Sequence, residues 1–449
     1  MVHTLLAVLV FSIAGSAQDL APVQKALFNR VDESKKAVGI AVATLDREGQ
    51  KFISRGKLSA SSDQALSPDT VFEIGSITKA FTALLLADMI ERSEVKAEDP
   101  VAKYLPDTVK VPSRGGKQIT LLDLAMHVSG LPRLPNLKPA DPENPYADYD
   151  APKLYEFLSS HILRRDIGER YEYSNLGAGL LGHALARRAG MSYEQLLKQR
   201  ILDPLGMKST SITLSADQKK RLAVGHDPGL QPVKNWDLDV LAGAGAIRST
   251  ANDMMRFAAM CLELKPGPLQ AAMRRSLAEK RPTGMPSMDI AMGWHIQKKF
   301  DSEIIWHNGG TGGYRSFFGF HPAKKQAVVV LVNTSFGGDD LGFHVLENRH
   351  ALATYQQRKE VLVEQEILET YAGEYELAPT FRITVTREGS RLFIQATGQP
   401  KFEVFGESQT KFFLKVVEAQ ISFVKDDAGK VTSLILHQGG RDQKAPKVK

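Results

Sequence analysis

The distribution of apolar positions predicts strands near both ends of the first 350 residues. Residues 38–45 and 51–54 are apolar-rich stretches on either side of a polar Asp-Arg-Glu-Gly turn. Such stretches, bounded by turn residues, are typical of a β-hairpin. The segments 303–306, 315–320 and 327–332 repeat the pattern after a long interval. We expect the two groups of strands to meet in one antiparallel sheet with helices packed against it.

The apolar positions between these strand groups are spaced as in helices. Residues 77–90 are apolar almost all round, which places this helix at the centre of a domain. Six prolines from Pro132 to Pro152 interrupt the helical pattern, and we expect a loop over a site there. The further predicted helices lie at about 121–127, 153–163, 177–189, 193–201 and 251–263.

The character of the sequence changes after residue 350. A helical composition around 344–368 predicts a helical linker at 351–364. Residues 365–449 then alternate apolar and polar positions between turn residues, which is the pattern of short strands. The predicted fold class is therefore α+β: an antiparallel β-sheet flanked by helices, with a helical subdomain, over residues 18–350, followed by a small all-β domain.

The first 17 residues have the composition of an export signal. Residues 5–14 are apolar apart from one serine, and residues 15–17 are small, as a cleavage site requires. A buried first helix is the alternative, although the polar start at Gln18 fits a mature N-terminus better. We expect a signal peptide at 1–17 and a secreted or periplasmic protein. No later stretch is long and apolar enough to span a bilayer.

Composition and charge argue against several functional classes. The net charge of +6 is modest and the Lys and Arg residues are scattered, so no nucleic-acid partner is predicted. The single cysteine, Cys261, excludes an intrachain disulfide. The 11 histidines show no ligand spacing, so neither a metal nor another cofactor is predicted. The sequence does not indicate an oligomeric state.

A serine and a lysine stand at the start of the apolar helix. Ser76 and Lys79 are three residues apart, so their side chains share one helical face. Free backbone N–H groups at a helix N-terminus can bind an oxyanion, and the helix dipole together with burial disfavours a charged ammonium. Lys79 could then accept the proton of a nucleophilic Ser76. A capping serine beside a solvent-facing lysine is the alternative, but it fits an all-apolar helix less well.

Two further segments carry groups suited to the same chemistry. Tyr173 and Asn175 precede a glycine-rich helix. A phenol can share a proton with a lysine, and an amide can hold both a lysine and a substrate carbonyl, although an N-cap turn explains these residues equally well. Residues 306–314 are Trp-His-Asn-Gly-Gly-Thr-Gly-Gly-Tyr, in which a ligand can approach the backbone closely. A flexible hairpin loop is the alternative there.

Together these segments resemble the motifs of class C β-lactamases and related penicillin-binding-protein hydrolases, as Ser76-x-x-Lys79, Tyr173-x-Asn175 and His307-x-Gly309. Five ordered landmarks over about residues 20–350 are more specific than any single motif. Residues 365–449 resemble the lipocalin-like accessory domains of some peptidases in this family. Five other segments also resemble the family. The first is 72–76, although the sequence departs from the family signature just afterwards, at Thr78. The others are 119–124, 127–132, 204–207 and 245–254.

The resemblance implies a β-lactamase/transpeptidase-like fold and a role for each site residue. Ser76 is the nucleophile, and Lys79 with Tyr173 passes the proton to the leaving group. The oxyanion hole consists of the backbone N–H groups of Ser76 and Gly310. We interpret His127 and Ser129 as structural residues beneath the site. The resemblance assigns substrate binding to Asn175, His307, Asn308, Gly309 and Gly310.

One residue departs from the family pattern. Dedicated β-lactamases of this class usually have lysine at the position of His307, and that cation helps to hold the substrate carboxylate. A histidine is only fractionally charged at neutral pH, which leaves peptidase and esterase chemistry open beside β-lactam hydrolysis. Arg315 either supplies the missing charge or is an exposed strand arginine, and the usual surface placement of arginine favours the second interpretation.

The leading functional hypothesis is a serine hydrolase that forms an acyl-enzyme and acts on β-lactams or D-alanyl-type peptide bonds. Its partners would be small-molecule or peptide substrates, including peptidoglycan fragments. A carboxylesterase acting on short acyl esters is the second hypothesis. A non-catalytic, penicillin-recognising sensor or scaffold is the third, and the presence of all the motifs argues against it.

Overall fold

The structure, a computed structural model, describes residues 19–264, 266–356, 358–415, 417, 419–438 and 441–449. The predicted signal peptide at 1–17 lies outside the described residues. Within those ranges, no helix combines the length and the apolar character needed to cross a bilayer.

The helices are named α and the strands β in chain order. The α-helices are α1 Ala21–Phe28, α2 Thr78–Glu91, α3 Leu121–Ala125, α4 Ala151–Ser160, α5 Asn175–Ala189, α6 Tyr193–Leu197, α7 Asp203–Leu205, α8 Ala216–Lys220, α9 Ala242–Gly245, α10 Ala251–Cys261, α11 Gln270–Ala278, α12 Asp339–Leu346 and α13 Gln365–Tyr371. Short 3₁₀ or π turns are Asn29–Glu33, Gly75–Ile77, Val101–Tyr104, Lys198–Leu202 and Asp239–Leu241. The strands are β1 Gly39–Asp46, β2 Gly49–Gly56, β3 Val71–Glu73, β4 Ser113–Arg114, β5 Lys117–Gln118, β6 Arg248–Thr250, β7 Arg281–Pro282, β8 Met288–Ala291, β9 Trp294–Lys299, β10 Ser302–Gly310, β11 Arg315–His321, β12 Gln326–Val332, β13 Gly373–Ala378, β14 Phe381–Glu388, β15 Arg391–Ala396, β16 Lys401–Gly406, β17 Lys411–Leu414, β18 Ala419–Lys425, β19 Val431–Gln438 and β20 Arg441–Pro446.

The main sheet joins the two ends of the larger domain. Its strand order is β2-β1-β12-β11-β10-β9-β8-β7, with every neighbouring pair antiparallel. The early hairpin meets the late strands through β1 and β12, with Ile40 opposite Val332. This arrangement confirms the predicted sheet. The strands β7, β8 and β9 of this sheet were not predicted. The strands β7 and β8 are short, and β9 has only two apolar residues, Trp294 and Ile296.

Helices cover both faces of this sheet. Because successive strand residues point to opposite faces, Val42 packs on the side of α1 and α12, while its neighbour Ala43 faces the larger core that contains α2. Residues Thr78 to Met89 of α2 are all buried, as the apolar sequence predicts. Phe81 of α2 stacks on Phe257 of α10, with ring centroids 4.2 Å apart. This packing fixes the start of α2 against the sheet.

The strands β13 to β20 form the predicted small all-β domain. They pair antiparallel in sequence order as an eight-stranded, nearly closed barrel. The last residues return to β13, where Glu374 N donates to Lys449 O at 2.9 Å and Val448 N donates to Glu374 O at 2.8 Å. The ring of Tyr371, at the end of α13, stacks on Phe423 inside the barrel at 4.0 Å between centroids.

The prediction of a helical linker at 351–364 is wrong. The described residues of this segment form no helix. Ala353 N donates to Asp340 Oδ2 at 2.8 Å, and Tyr355 N donates to Asn29 Oδ1 at 2.9 Å. Because these amides bond to side chains of other elements, tertiary contacts outweigh the helical propensity of the segment.

Candidate active site

The predicted nucleophile lies where α2 meets the sheet. Ser76 occupies the 3₁₀ turn that leads directly into α2. The preceding Gly75 has φ +51°, and a Cβ there would lie 2.7 Å from Gly310 N. A glycine is therefore needed both for the backbone conformation and for the close approach of this turn to the end of β10.

Lys79 is buried and its ammonium group contacts three oxygen atoms. Nζ donates to Ser76 Oγ at 3.0 Å, to Asn175 Oδ1 at 2.8 Å and to Ala244 O at 2.7 Å. None of these partners is a carboxylate. Burial, and secondly the positive charge of Arg133, lower the pKa of Lys79 well below its ordinary value. Burial thus favours loss of one ammonium proton, after which Nζ can accept from Ser76 Oγ while it still donates to Asn175 Oδ1 and Ala244 O.

The start of α5 places the second motif beside this lysine. Ser174 caps α5, since its Oγ accepts from Gly177 N at 2.8 Å, and Asn175 is the first helical residue. The Nδ1 atom of His127 accepts from Ser174 N at 3.1 Å. The ring of His127 also lies 4.6 Å from that of Tyr173, between centroids. His127 therefore holds the segment that carries Tyr173 and Asn175, in agreement with its structural interpretation.

The ring of Tyr173 is in contact with Lys79 and Arg133. Lys79 Nζ is 4.8 Å and Arg133 Cζ is 4.9 Å from the centroid of its ring. Burial raises the pKa of the phenol, although its interaction with Ser76 acts in the opposite direction. Tyr173 is consequently a protonated phenol at neutral pH, close to both members of the first motif.

His307 on β10 completes the buried side of the site. Its ring centroid lies 6.0 Å from that of Tyr173 and 5.0 Å from that of His295. Burial, followed by the charges of His295 and Lys79, lowers the pKa of His307 well below its ordinary value. Among the described residues, its Nε2 atom finds no hydrogen-bond partner. His307 is therefore neutral at neutral pH and supplies no cation to the site.

The structure does not bring the Asn308 side chain together with the other predicted site residues. Adjacent strand residues point to opposite faces of a sheet, and Asn308 shares its face with Trp306. Its Nδ2 donates to Asp339 Oδ2 at 2.6 Å, at the start of α12. The amide of Asn308 is therefore turned away from Ser76.

Gly309 allows β10 to touch the backbone just before the nucleophile. A Cβ at this position would lie 2.0 Å from Ile74 O, a carbonyl that also accepts from Ser316 Oγ at 2.8 Å. We expect Gly309→Ala to push the strand from the turn and to lower kcat/KM by roughly 100-fold or more, because a displacement of about 1 Å at a reacting centre has that effect. Steady-state kinetics would measure this loss.

The matched control is Gly337→Ala, because a Cβ at Gly337 meets no atom within 4 Å. This variant is expected to keep wild-type activity. A Gly309→Ala enzyme with wild-type kcat/KM would show that the contact with Ile74 does not control the geometry of the site.

Ser76 and Asn175 line a pocket to which loop residues also contribute. Sequence reasoning predicted a loop over the site in the proline-rich segment, and Tyr146 from that segment does line the pocket. It missed Trp236, since nothing in the sequence near 236 resembles a motif. The remaining lining residues are Leu238, Leu241, Ala244, Gly245, Gly310 and Thr311. In the described part of the chain, no group of three His, Cys, Asp or Glu side chains is arranged to hold a metal ion.

Arg315 is partly buried, not exposed as the sequence suggested. Its guanidinium donates to Thr311 O and to Tyr314 O, both at 2.8 Å. Burial lowers the pKa of this arginine, but a guanidinium remains charged at neutral pH. Arg315 thus holds the loop that follows Gly310.

Comparisons with known proteins identify the family. The sequence profile of the family described as Beta-lactamase matches residues 25–352, and that of a domain family of unknown function (DUF3471) matches residues 357–446. The D-alanyl-D-alanine-carboxypeptidase/endopeptidase AmpH of Escherichia coli (strain K12) is 32% identical over 320 residues, which are 67% of this chain and 80% of that protein.

Solved structures show the same fold. The β-lactamase/D-alanine carboxypeptidase of Yersinia pestis, complexed with citrate, superposes with a TM-score of 0.61 at 29% identity, over 70% of this chain and 93% of that one. The class C β-lactamase of Rhodobacter sphaeroides gives a TM-score of 0.60 at 28% identity, over 70% and 94% of the two chains. The chain therefore belongs to the β-lactamase family and is a serine hydrolase of the class C type.

Proposed function

We propose that the enzyme forms an acyl-enzyme on Ser76 and hydrolyses D-alanyl-type peptide bonds or β-lactams. The observation that carries this proposal is the 3.0 Å contact between Lys79 Nζ and Ser76 Oγ, in a site where burial disfavours the ammonium. A neutral amine at this position is the base that a serine needs to become a nucleophile.

In the acylation step, Ser76 Oγ attacks the substrate carbonyl carbon and its proton moves to Lys79 Nζ. The carbonyl oxygen becomes an oxyanion, which accepts hydrogen bonds from the backbone N–H groups of Ser76 and Gly310. Both residues line the pocket, so an oxygen held between them lies next to Oγ. Asn175, which already accepts from Lys79, orients the substrate from the opposite side.

In the second half of acylation, Tyr173 donates its hydroxyl proton to the leaving nitrogen and regains a proton from Lys79. The C–N bond breaks and the acyl group remains as an ester on Ser76. The amine departs when the substrate is a peptide, whereas in a β-lactam it stays attached through the opened ring. Water then attacks this ester, which releases a carboxylic acid and restores the serine hydroxyl. The raised pKa of Tyr173 suits a phenol that must be protonated before it donates.

A peptide substrate is favoured by two observations. His307 is neutral, so the site lacks the lysine cation that dedicated β-lactamases of this class usually have. The relative from Escherichia coli carries the name of a D-alanyl-D-alanine carboxypeptidase/endopeptidase. Together with the predicted export signal, they favour a secreted or periplasmic enzyme that acts on peptidoglycan fragments.

Three acyl donors test this function: a peptide ending in D-Ala-D-Ala, a chromogenic cephalosporin and p-nitrophenyl acetate. We expect release of D-alanine from the peptide, and a covalent penicillin adduct on Ser76 seen by mass spectrometry. Turnover of the acetate alone would identify a carboxylesterase. A stable adduct without any turnover would identify a penicillin-recognising sensor. Either result would overturn the proposal.

A further inference from the structure

The rim of the site carries a cation, Arg133, that has no anionic partner among the residues that the structure describes. Arg133 follows the landmark at 127–132 directly, and its side chain is exposed over the ring of Tyr173. In the part of the chain that the structure describes, no hydrogen bond or ion pair holds its guanidinium. The nearby Lys234, by contrast, is paired with Asp141 at 2.9 Å and with Glu143 at 3.3 Å.

The backbone of Arg133 is fixed relative to the catalytic groups. Its carbonyl oxygen accepts from Asn175 N at 2.9 Å and from Leu176 N at 3.3 Å, so the residue is attached to the first turn of α5. The guanidinium is also close enough to Lys79 to disfavour a second positive charge there, which is one cause of the lowered pKa of Lys79. The exposed side chain of Arg133 lies over the Tyr173 ring. Because Lys79 is then neutral, the guanidinium is a positive charge beside the site that an anion would compensate.

The other positively chargeable side chains near the site cannot bind an anion in the same way. Burial lowers the pKa values of Lys79, His127, His295 and His307, which disfavours their charged forms. The guanidinium of Arg315 is occupied by the carbonyl oxygens of Thr311 and Tyr314. Among the described residues at this rim, Arg133 therefore combines free donors with a full charge.

The position of Arg133 indicates which end of a substrate it meets. In the proposed reaction Tyr173 protonates the leaving group, so a residue over its ring lies on the leaving-group side of the scissile bond. The leaving group of a D-alanyl peptide is an amino acid with a free carboxylate. A planar guanidinium matches a carboxylate with two parallel hydrogen bonds.

We propose that Arg133 binds the free carboxylate of the leaving amino acid and makes the enzyme selective for peptides with an unblocked C-terminus. This inference rests on the proposed acyl transfer at Ser76 and adds to it the substrate class and the residue that recognises it.

The test compares two peptides that differ only at the C-terminus, one ending in D-Ala-D-Ala carboxylate and the other in the corresponding amide. The wild type should favour the carboxylate in kcat/KM, and Arg133→Gln should reduce this preference by roughly 10- to 100-fold, as expected for hydrogen bonds between charged groups. Arg133→Lys, which keeps the charge but not the paired donors, should fall between them. Because both peptides are measured on the same enzyme at the same pH, any effect of Arg133 on the basicity of Lys79 cancels in the ratio.

Arg170→Gln is the matched control, since Arg170 is also exposed and lies three residues before Tyr173. Its selectivity should equal that of the wild type. The role of Arg133 would be overturned if Arg133→Gln kept the wild-type ratio of kcat/KM for the two peptides, or if Arg170→Gln lost as much of it. In either case, turnover that depends on Ser76 would leave the proposed function standing. A wild type that cleaves neither peptide and forms no adduct on Ser76 would overturn both.

Discussion

Replacing Ser76 with alanine is expected to lower kcat/KM for every acyl donor by roughly 10⁴- to 10⁶-fold, the range seen when a serine nucleophile is removed. Without Oγ no ester can form, whereas the pocket and the backbone N–H groups around it remain. The loss should therefore appear in kcat more than in KM. Intact-protein mass spectrometry after incubation with a penicillin should show an adduct on the wild type and none on Ser76→Ala.

Ser113→Ala is a suitable control, because Ser113 is exposed on the remote β4–β5 hairpin. It should retain full activity and full labelling. If Ser76→Ala were labelled as strongly as the wild type, another residue would be the nucleophile and the assignment of the site would fail.

Replacing Lys79 with arginine is expected to lower kcat/KM by roughly 10²- to 10⁴-fold, the contribution of a general base. Arginine keeps the positive charge, so a loss of this size would show that the lysine acts as a base and not as a fixed cation. Its guanidinium cannot deprotonate in the accessible pH range. Steady-state kinetics of this variant, with Lys110→Arg at an exposed position as the control, measure the effect.

The pH profile gives the same conclusion by a second route. The pKa of Lys79 is depressed, so the amine becomes neutral, and the wild-type kcat/KM rises, as the pH increases through a value well below the ordinary lysine pKa. Lys79→Arg should lack this rise. A wild-type profile that rises only near the ordinary pKa of lysine would contradict the depressed pKa, and with it the role of Lys79 as the base.

Most of the sheet could be predicted from the sequence, because β1, β10, β11 and β12 carry continuous or alternating apolar residues. The linker at 351–364 could not. Its composition favours a helix, but Ala353 and Tyr355 bond to Asp340 and Asn29, which lie far away in sequence. Contacts of this kind depend on the assembled fold and leave no local pattern.

The candidate site was also predicted only in part. The proximity of Ser76 and Lys79 could be predicted because it follows from helical spacing alone. The positions of Tyr146 and Trp236 at the pocket depend on how two irregular loops fold over it, which no periodicity encodes. Arg133 was overlooked for the same reason, since an exposed arginine in a loop gains significance only from the aromatic ring beneath it.

The backbone contact between Ile74 and Gly309 has a consequence for the evolution of this enzyme. No side chain at Gly309 fits against the carbonyl oxygen of Ile74, just before the turn that carries Ser76. We therefore expect neither natural variation nor laboratory libraries to yield active enzymes with a substitution at Gly309. We expect variation that changes the accepted substrate to arise instead in the loops around the site, which carry Arg133, Tyr146 and Trp236. Those loops can diversify while the catalytic frame stays constant.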